Sequence, residues 1–222
     1  MSLFCFLVVP LFLAFRHSLG YERGGRRGLT LAFALGLVAA LLRRAIGDIV
    51  PAGLFGFLRW LHLFADRSAL PALLPLAAWY ALKRYRGAAF DAERTDFILV
   101  WLVPVAALRA IVWSAGGNSA DLVLAPIFWI AIAVGVPPFI DAVGEEYGIR
   151  AFGAGSVAVL VPLLCVTADW AFFAHLPLIG LLSAAAGVAP AVGETVRAFR
   201  AARPAEIREA DAESAGAASD GN

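Results

Sequence analysis

The sequence predicts an all-α, polytopic transmembrane helix bundle of about seven crossings. Hydrophobic residues fill 61% of the 222 positions and charged ones only 16%, whereas a soluble domain averages nearly half apolar and about a quarter charged. Apolar runs of about 20 residues recur, each long enough to cross roughly 30 Å of hydrocarbon. The runs lack the strict alternation of a transmembrane barrel. Mean hydropathy is +0.81, in keeping with a lipid-embedded chain.

The first crossing is "SLFCFLVVPLFLAF" (2–15). No basic residue precedes it, whereas a secretory signal carries positive charge there. Charges follow instead, in "RHSLGYERGGRR" (16–27), which favours an outside N-terminus. The second crossing begins as "GLTLAFALGLVAALL" (28–42) and continues to about Gly47. "LFGFLRWLHLFA" (54–65) reads as an amphipathic segment near the outer interface, and a third crossing of about 69–86 ends in "KRYRG". The fourth covers 97–115, the fifth about 120–140, the sixth about 154–173 and the seventh about 176–196. These make a transmembrane bundle over 1–200. The remainder, 201–222, is small, acidic and polar, and is expected to be a disordered tail.

Lysine and arginine set the orientation. Thirteen of the 18 fall in 16–27, 83–94, at Arg150 or in the C-terminal stretch. Four (Arg43, Arg44, Arg59 and Arg67) fall on the opposite side, and Arg109 lies within a crossing. The asymmetry predicts a multi-pass protein of the cell membrane with a cytoplasmic C-terminus. The lipid bilayer is thus the first partner. Net charge is +1 and no basic block carries interleaved aromatics, so nucleic acid is not a partner. Cys5 and Cys165 lie in apolar runs with no CxxC spacing, and read as small buried hydrophobes.

A short internal repeat is visible. "VAALLRRAI" (38–46) echoes "VAALRAIVW" (105–113), and three hairpins each return through a proline, at Pro71, Pro126 and Pro177. Repeated hairpins suit a transporter.

An ionisable side chain inside a bilayer is costly and is a functional candidate by default. Arg109 is such a residue, and reads equally as a structural partner for an acid or as a snorkelling side chain. Asp169 lies near the outer end of the sixth crossing, where a cap or an interfacial role competes. Arg43, Arg44 and Asp48 close the second crossing near the surface. His62 reads as interfacial, and His17 sits in a basic loop.

The densest cluster is "GEEYGIRAFG" (144–153). On a helix, Glu146 and Arg150 are spaced i,i+4 and can pair. Glu145 then points elsewhere, where a poorly solvated carboxylate can act as a general base toward water. Such a step also needs a metal, a histidine or an asparagine to hold the oxyanion, and His175 is the nearest candidate in type. The alternative is a hydrated cytoplasmic turn, with His175 at the outer interface.

This stretch resembles the first motif, Glu-Glu-x-x-x-Arg, of the CPBP (CAAX-protease and bacteriocin-processing) intramembrane proteases. "DWAFFAHLPL" (169–178) is similar to the family's second, aromatic-rich motif ending in His-Leu-Pro. The resemblance covers roughly 136–178. It implies that Glu145 activates water, Glu146 pairs with Arg150, and His175 holds a metal or the oxyanion. A divalent metal such as zinc at His175 and Glu145, and a membrane-bound peptide or protein substrate, would follow. Ala171 stands where the second motif carries phenylalanine, and 176–200 contains no histidine or asparagine for the third motif.

Three functions follow. A CPBP-like peptidase, intact or degenerate, requires Glu145, Arg150 and His175 around one cavity. A non-catalytic scaffold or partner-regulating subunit requires them hydrated and apart. A small transporter of helical hairpins requires that the three hairpins superimpose and that Arg109 and Asp169 line a central path.

Overall fold

The computed structural model describes the backbone of residues 2–18, 25–47, 56–113, 119–146 and 148–219, and side chains within 6–18, 25–45, 57–112, 123–146 and 148–201. Asp48 lies outside the described residues, as does the side chain of Cys5. Among the described residues the chain is helical, without strands. Helices satisfy their own backbone groups, which lipid cannot do. They are α1 Ser2–Ser18, α2 Arg26–Gly47, α3 Gly56–Phe64, a π-helix Ala65–Leu73, α4 Leu74–Arg86, α5 Arg94–Trp113, α6 Ser119–Gly135, α7 Pro137–Glu145, α8 Ile149–Phe173 and α9 Pro177–Ser219. Five stretches are long and apolar enough to cross a membrane: Arg26–Ala45, Arg94–Val112, Val123–Glu145, Ile149–Phe173 and Pro177–Ala201. Phe6–Ser18 is a shorter apolar helix.

The segment expected at 54–65 is, from Gly56 on, continuous with the helix that follows it. From Gly56 to Arg86 the chain is one helical rod, since Phe64 and Leu74 keep helical dihedrals on both sides of the π-helix. Pro71 explains why the middle is widened. Its ring crowds the carbonyl four residues back and it brings no N–H to that carbonyl. The ladder shifts to five-residue spacing, with the Leu74 N–H on the Ala69 carbonyl. The carbonyl four residues before Pro71 belongs to Arg67, and the Trp129 indole Nε1 donates to it at 2.8 Å.

The turn expected at 141–152 is also shorter. Pro137 and Pro138 open α7, which carries the helix on to Glu145. Glu146 is extended, Gly148 takes φ +123°, and α8 begins at Ile149. That dihedral region is open to glycine and rarely to residues with a Cβ.

α5 and α6 are the most enclosed legs. Phe97, Leu102 and Ala106 of α5 pack with Phe128, Trp129 and Ile132 of α6 in the core. α1 lies against both, α2 against α5, and α9 against α6 and α8. α2 and α5 run parallel: Gly28 faces Ala92 and Gly36 faces Trp101. A Cβ on Gly36 would collide with the Trp101 carbonyl, so this close approach depends on a small residue. The echoing segments 38–46 and 105–113 lie on these two parallel helices.

Candidate functional site

Charged side chains gather in two layers, one near each end of the bundle. The first is built on the π-helix. Asp66 accepts from Arg43 of α2, with Nη2 to Oδ2 at 2.8 Å. Its neighbour Arg67 donates from Nη1 to Asp169 Oδ2 of α8 at 3.0 Å. Arg109 of α5 is buried, with its guanidinium carbon 5.3 Å from the centre of the Trp129 ring. It lies in the fields of Arg67, Arg43, Asp66 and Asp169. Arg59 stacks over Phe173 at 3.6 Å. The layer sits about one turn inside the helix ends. A charge there leaves water only when opposite charges and hydrogen bonds replace it.

The second layer is at the start of α5. Glu93 caps that helix, accepting from the Thr95 and Asp96 amides at 3.2 and 3.1 Å, the geometry of an N-cap carboxylate. Arg16 of α1 reaches Glu93 at 2.6 Å and Asp96 at 3.2 Å, and His17 Nε2 stands 3.6 Å from Asp96 Oδ2. Beside them Arg94 binds Asp141 at 2.7 Å, and the Tyr80 hydroxyl donates to the same carboxylate at 3.0 Å. From Asp96 to Arg109 is about 20 Å along α5, and the residues between are apolar.

The sequence candidates divide accordingly. Arg109 and Asp169 are interior, so neither snorkels nor caps. Arg44 is exposed, as expected, but Arg43 turns inward to Asp66. His62 is half-buried on α3. His17, read only as a loop histidine, belongs to the second layer. Cys165 is a buried free thiol.

Glu145, Glu146 and Arg150 are exposed at the α7–α8 junction. Glu146 and Arg150 pair at 3.7 Å, across a break in the helix rather than along one. His175 is exposed at the far end of α8. The 25 residues of that helix put about 37 Å between its ends. The structure therefore brings Glu146 and Arg150 together and leaves His175 at the opposite end from Glu145. Metal ligation by that pair does not fit this geometry. Among the described residues no three His, Cys, Asp or Glu side chains gather as a ligand set.

His175 has a structural role of its own. Its φ is +59°. Its N–H donates to the Phe172 carbonyl at 3.3 Å, and the Leu176 N–H to the Ala171 carbonyl at 2.8 Å. These two bonds are the Schellman closure of a helix, with His175 where glycine is usual. Pro177 then opens α9.

Sequence reasoning passed over Asp66, Glu93, Asp96 and Asp141. A usable signal was present: each is an acid within or beside an apolar run. Compared with family models, curated proteins and solved structures, the chain matches none.

Proposed function

We propose that this integral membrane protein is a small transporter that moves protons across the cell membrane, with its N-terminus outside and its C-terminus in the cytoplasm. The observation that carries the reading is the Arg67–Asp169 bond, built on a helix whose hydrogen-bond ladder Pro71 has already shifted. Charged groups inside a bundle mark ion paths by default, and π-segments concentrate where helices serve function. Interrupted helices suit transporter sites for the same reason. Protonation of Asp169 removes one of the charges that hold Arg67 and weakens the tie between the π-helix and α8. At the other end, Asp96 and His17 supply acceptors for the same proton. The apolar middle of α5 keeps the two layers from connecting in one state, so transfer requires a rearrangement between them.

Proteoliposomes loaded with a pH-sensitive dye test this. Wild-type protein should collapse an imposed pH gradient, and Asp169→Asn should stop it while remaining helical and monodisperse. A folded wild type that moves no protons defeats the reading. The non-catalytic scaffold or partner-regulating subunit would then take its place. Relation to the CPBP proteases carries no hydrolytic step in this reading, because the water-activating acid and its histidine stand at opposite ends of α8.

A further inference from the structure

A separate feature lies on the side of the bundle formed by α1, α6 and α9. A cavity of about 380 Å³ has the charged residues Arg16, Glu93, Arg94, Glu194 and Arg197 in a lining that is otherwise largely apolar, Val134 and Pro138 included. An apolar groove of about 580 Å³ is lined by Leu11, Ile127, Ile130, Val188 and Val192. The two adjoin, with Phe12, Phe15 and Thr195 lining both. Both lie in the ~300–1,000 Å³ range of small-molecule sites.

We propose that this space is a binding site for a single glycerophospholipid whose headgroup carries both a phosphate and a primary amine. The bilayer supplies the ligand, and the groove opens to it: Leu11, Phe15, Val192 and Val196 are exposed. One acyl chain runs along the groove, whose polar member Thr195 spends its hydroxyl on the Ala191 carbonyl at 2.8 Å. The headgroup occupies the mouth. Charge complementarity selects it, because the mouth carries both signs side by side. Arg197 is 78% exposed and, among the described residues, holds Glu194 through Nη1, which leaves the rest of its planar fork for a phosphate. Glu194 receives one hydrogen bond among the described residues, so its carboxylate has acceptor capacity for an ammonium. Arg16 already pairs with Glu93, so a purely anionic headgroup would meet the arginines but leave the remaining acceptor capacity of Glu194 unused. A neutral diacylglycerol would engage neither the remaining guanidinium donors of Arg197 nor the Glu194 carboxylate. The site involves none of the Arg67–Asp169 layer but shares Arg16, Glu93 and Arg94 with the second layer. Glu194, Arg197 and Val192 lie outside both layers, so lipid retention in their variants is read apart from proton flux.

Native mass spectrometry of the detergent-purified full chain, after exchange into mixed micelles, reads the selectivity directly. The probes are phosphatidylethanolamine, phosphatidylglycerol and diacylglycerol at equal concentration. Phosphatidylethanolamine should be retained at one per chain with roughly tenfold preference over the other two. Arg197→Gln should lower its retention about tenfold, and Glu194→Gln should remove the preference over phosphatidylglycerol. Val192→Trp, which fills the groove from an exposed position, should lower retention of every two-chain lipid. Both Arg197 and Val192 face outward, so these variants test the site without touching the core. Equal retention of the three lipids, unchanged selectivity in both charge variants, or a groove occupied by a co-purified helix instead of lipid would each overturn the proposal.

Discussion

Arg67 and Asp169 stand 102 residues apart in the sequence and meet at 3.0 Å inside the bundle. Their side chains are 10% and 2% exposed, so the bond ties the π-helix to α8 out of reach of bulk water. A buried pair of this kind is costly to halve and much less costly to replace whole.

Asp169→Ala should therefore destabilise the protein by about 3–5 kcal/mol, and Arg67→Met with Asp169→Leu should recover most of that loss. Thermal unfolding in detergent measures both. The same double variant should conduct no protons, which separates stability from transport.

The Trp129 indole and Pro71 should be energetically coupled. Trp129→Phe strips the donor from the Arg67 carbonyl and should cost about 1–3 kcal/mol. Pro71→Ala restores an N–H that can reach the same carbonyl. In that background the cost of Trp129→Phe should shrink, and a double-mutant cycle reads the coupling. Strict additivity would show that the indole bond does not compensate for the proline.

His175 distinguishes a helix stop from a catalytic group. His175→Gly should be neutral or slightly stabilising, because glycine enters the left-handed region freely. His175→Ile should cost about 1–2 kcal/mol, as a Cβ-branched residue at that φ is strained. An imidazole acting in chemistry would reverse the first result, with activity lost in the glycine variant.

Glu145→Gln and Arg150→Ala should change stability by no more than about 0.5 kcal/mol, since both side chains are hydrated. Proton flux should be unchanged as well. A large effect of either on flux would place the 144–153 cluster back at the centre of function.

Gly36→Leu should separate α2 from α5, because the new side chain meets the Trp101 backbone. Lipid gives apolar helices no reason to stay together beyond close packing. In a Cys5→Ser background, Cys165 should react with maleimide in Gly36→Leu at lower denaturant concentration than in the otherwise unaltered chain.

What the sequence determined by itself was local. Hydrophobic length marks a helix that prefers lipid, so the all-helical bundle and the apolar stretches at about 28–47, 97–115, 120–140, 154–173 and 176–196 were legible without a fold. The spacing of Glu146 and Arg150 foretold their pairing, though not the break at Gly148 between them. Pro71 was visible too, but only the packed structure turned it into a π-helix, because its neighbour Trp129 supplies the donor that lets the rod continue. The charge layers belonged wholly to tertiary structure. Arg43 meets Asp66, Arg67 meets Asp169 and Arg16 meets Asp96 only after each helix has taken its depth and rotation. Those are fixed by shape contacts along every neighbouring leg, Gly36 on Trp101 among them, and no run of residues encodes them alone. The same rule separated Glu145 from His175: both were plain in the sequence, and the unbroken length of α8 set them at opposite ends.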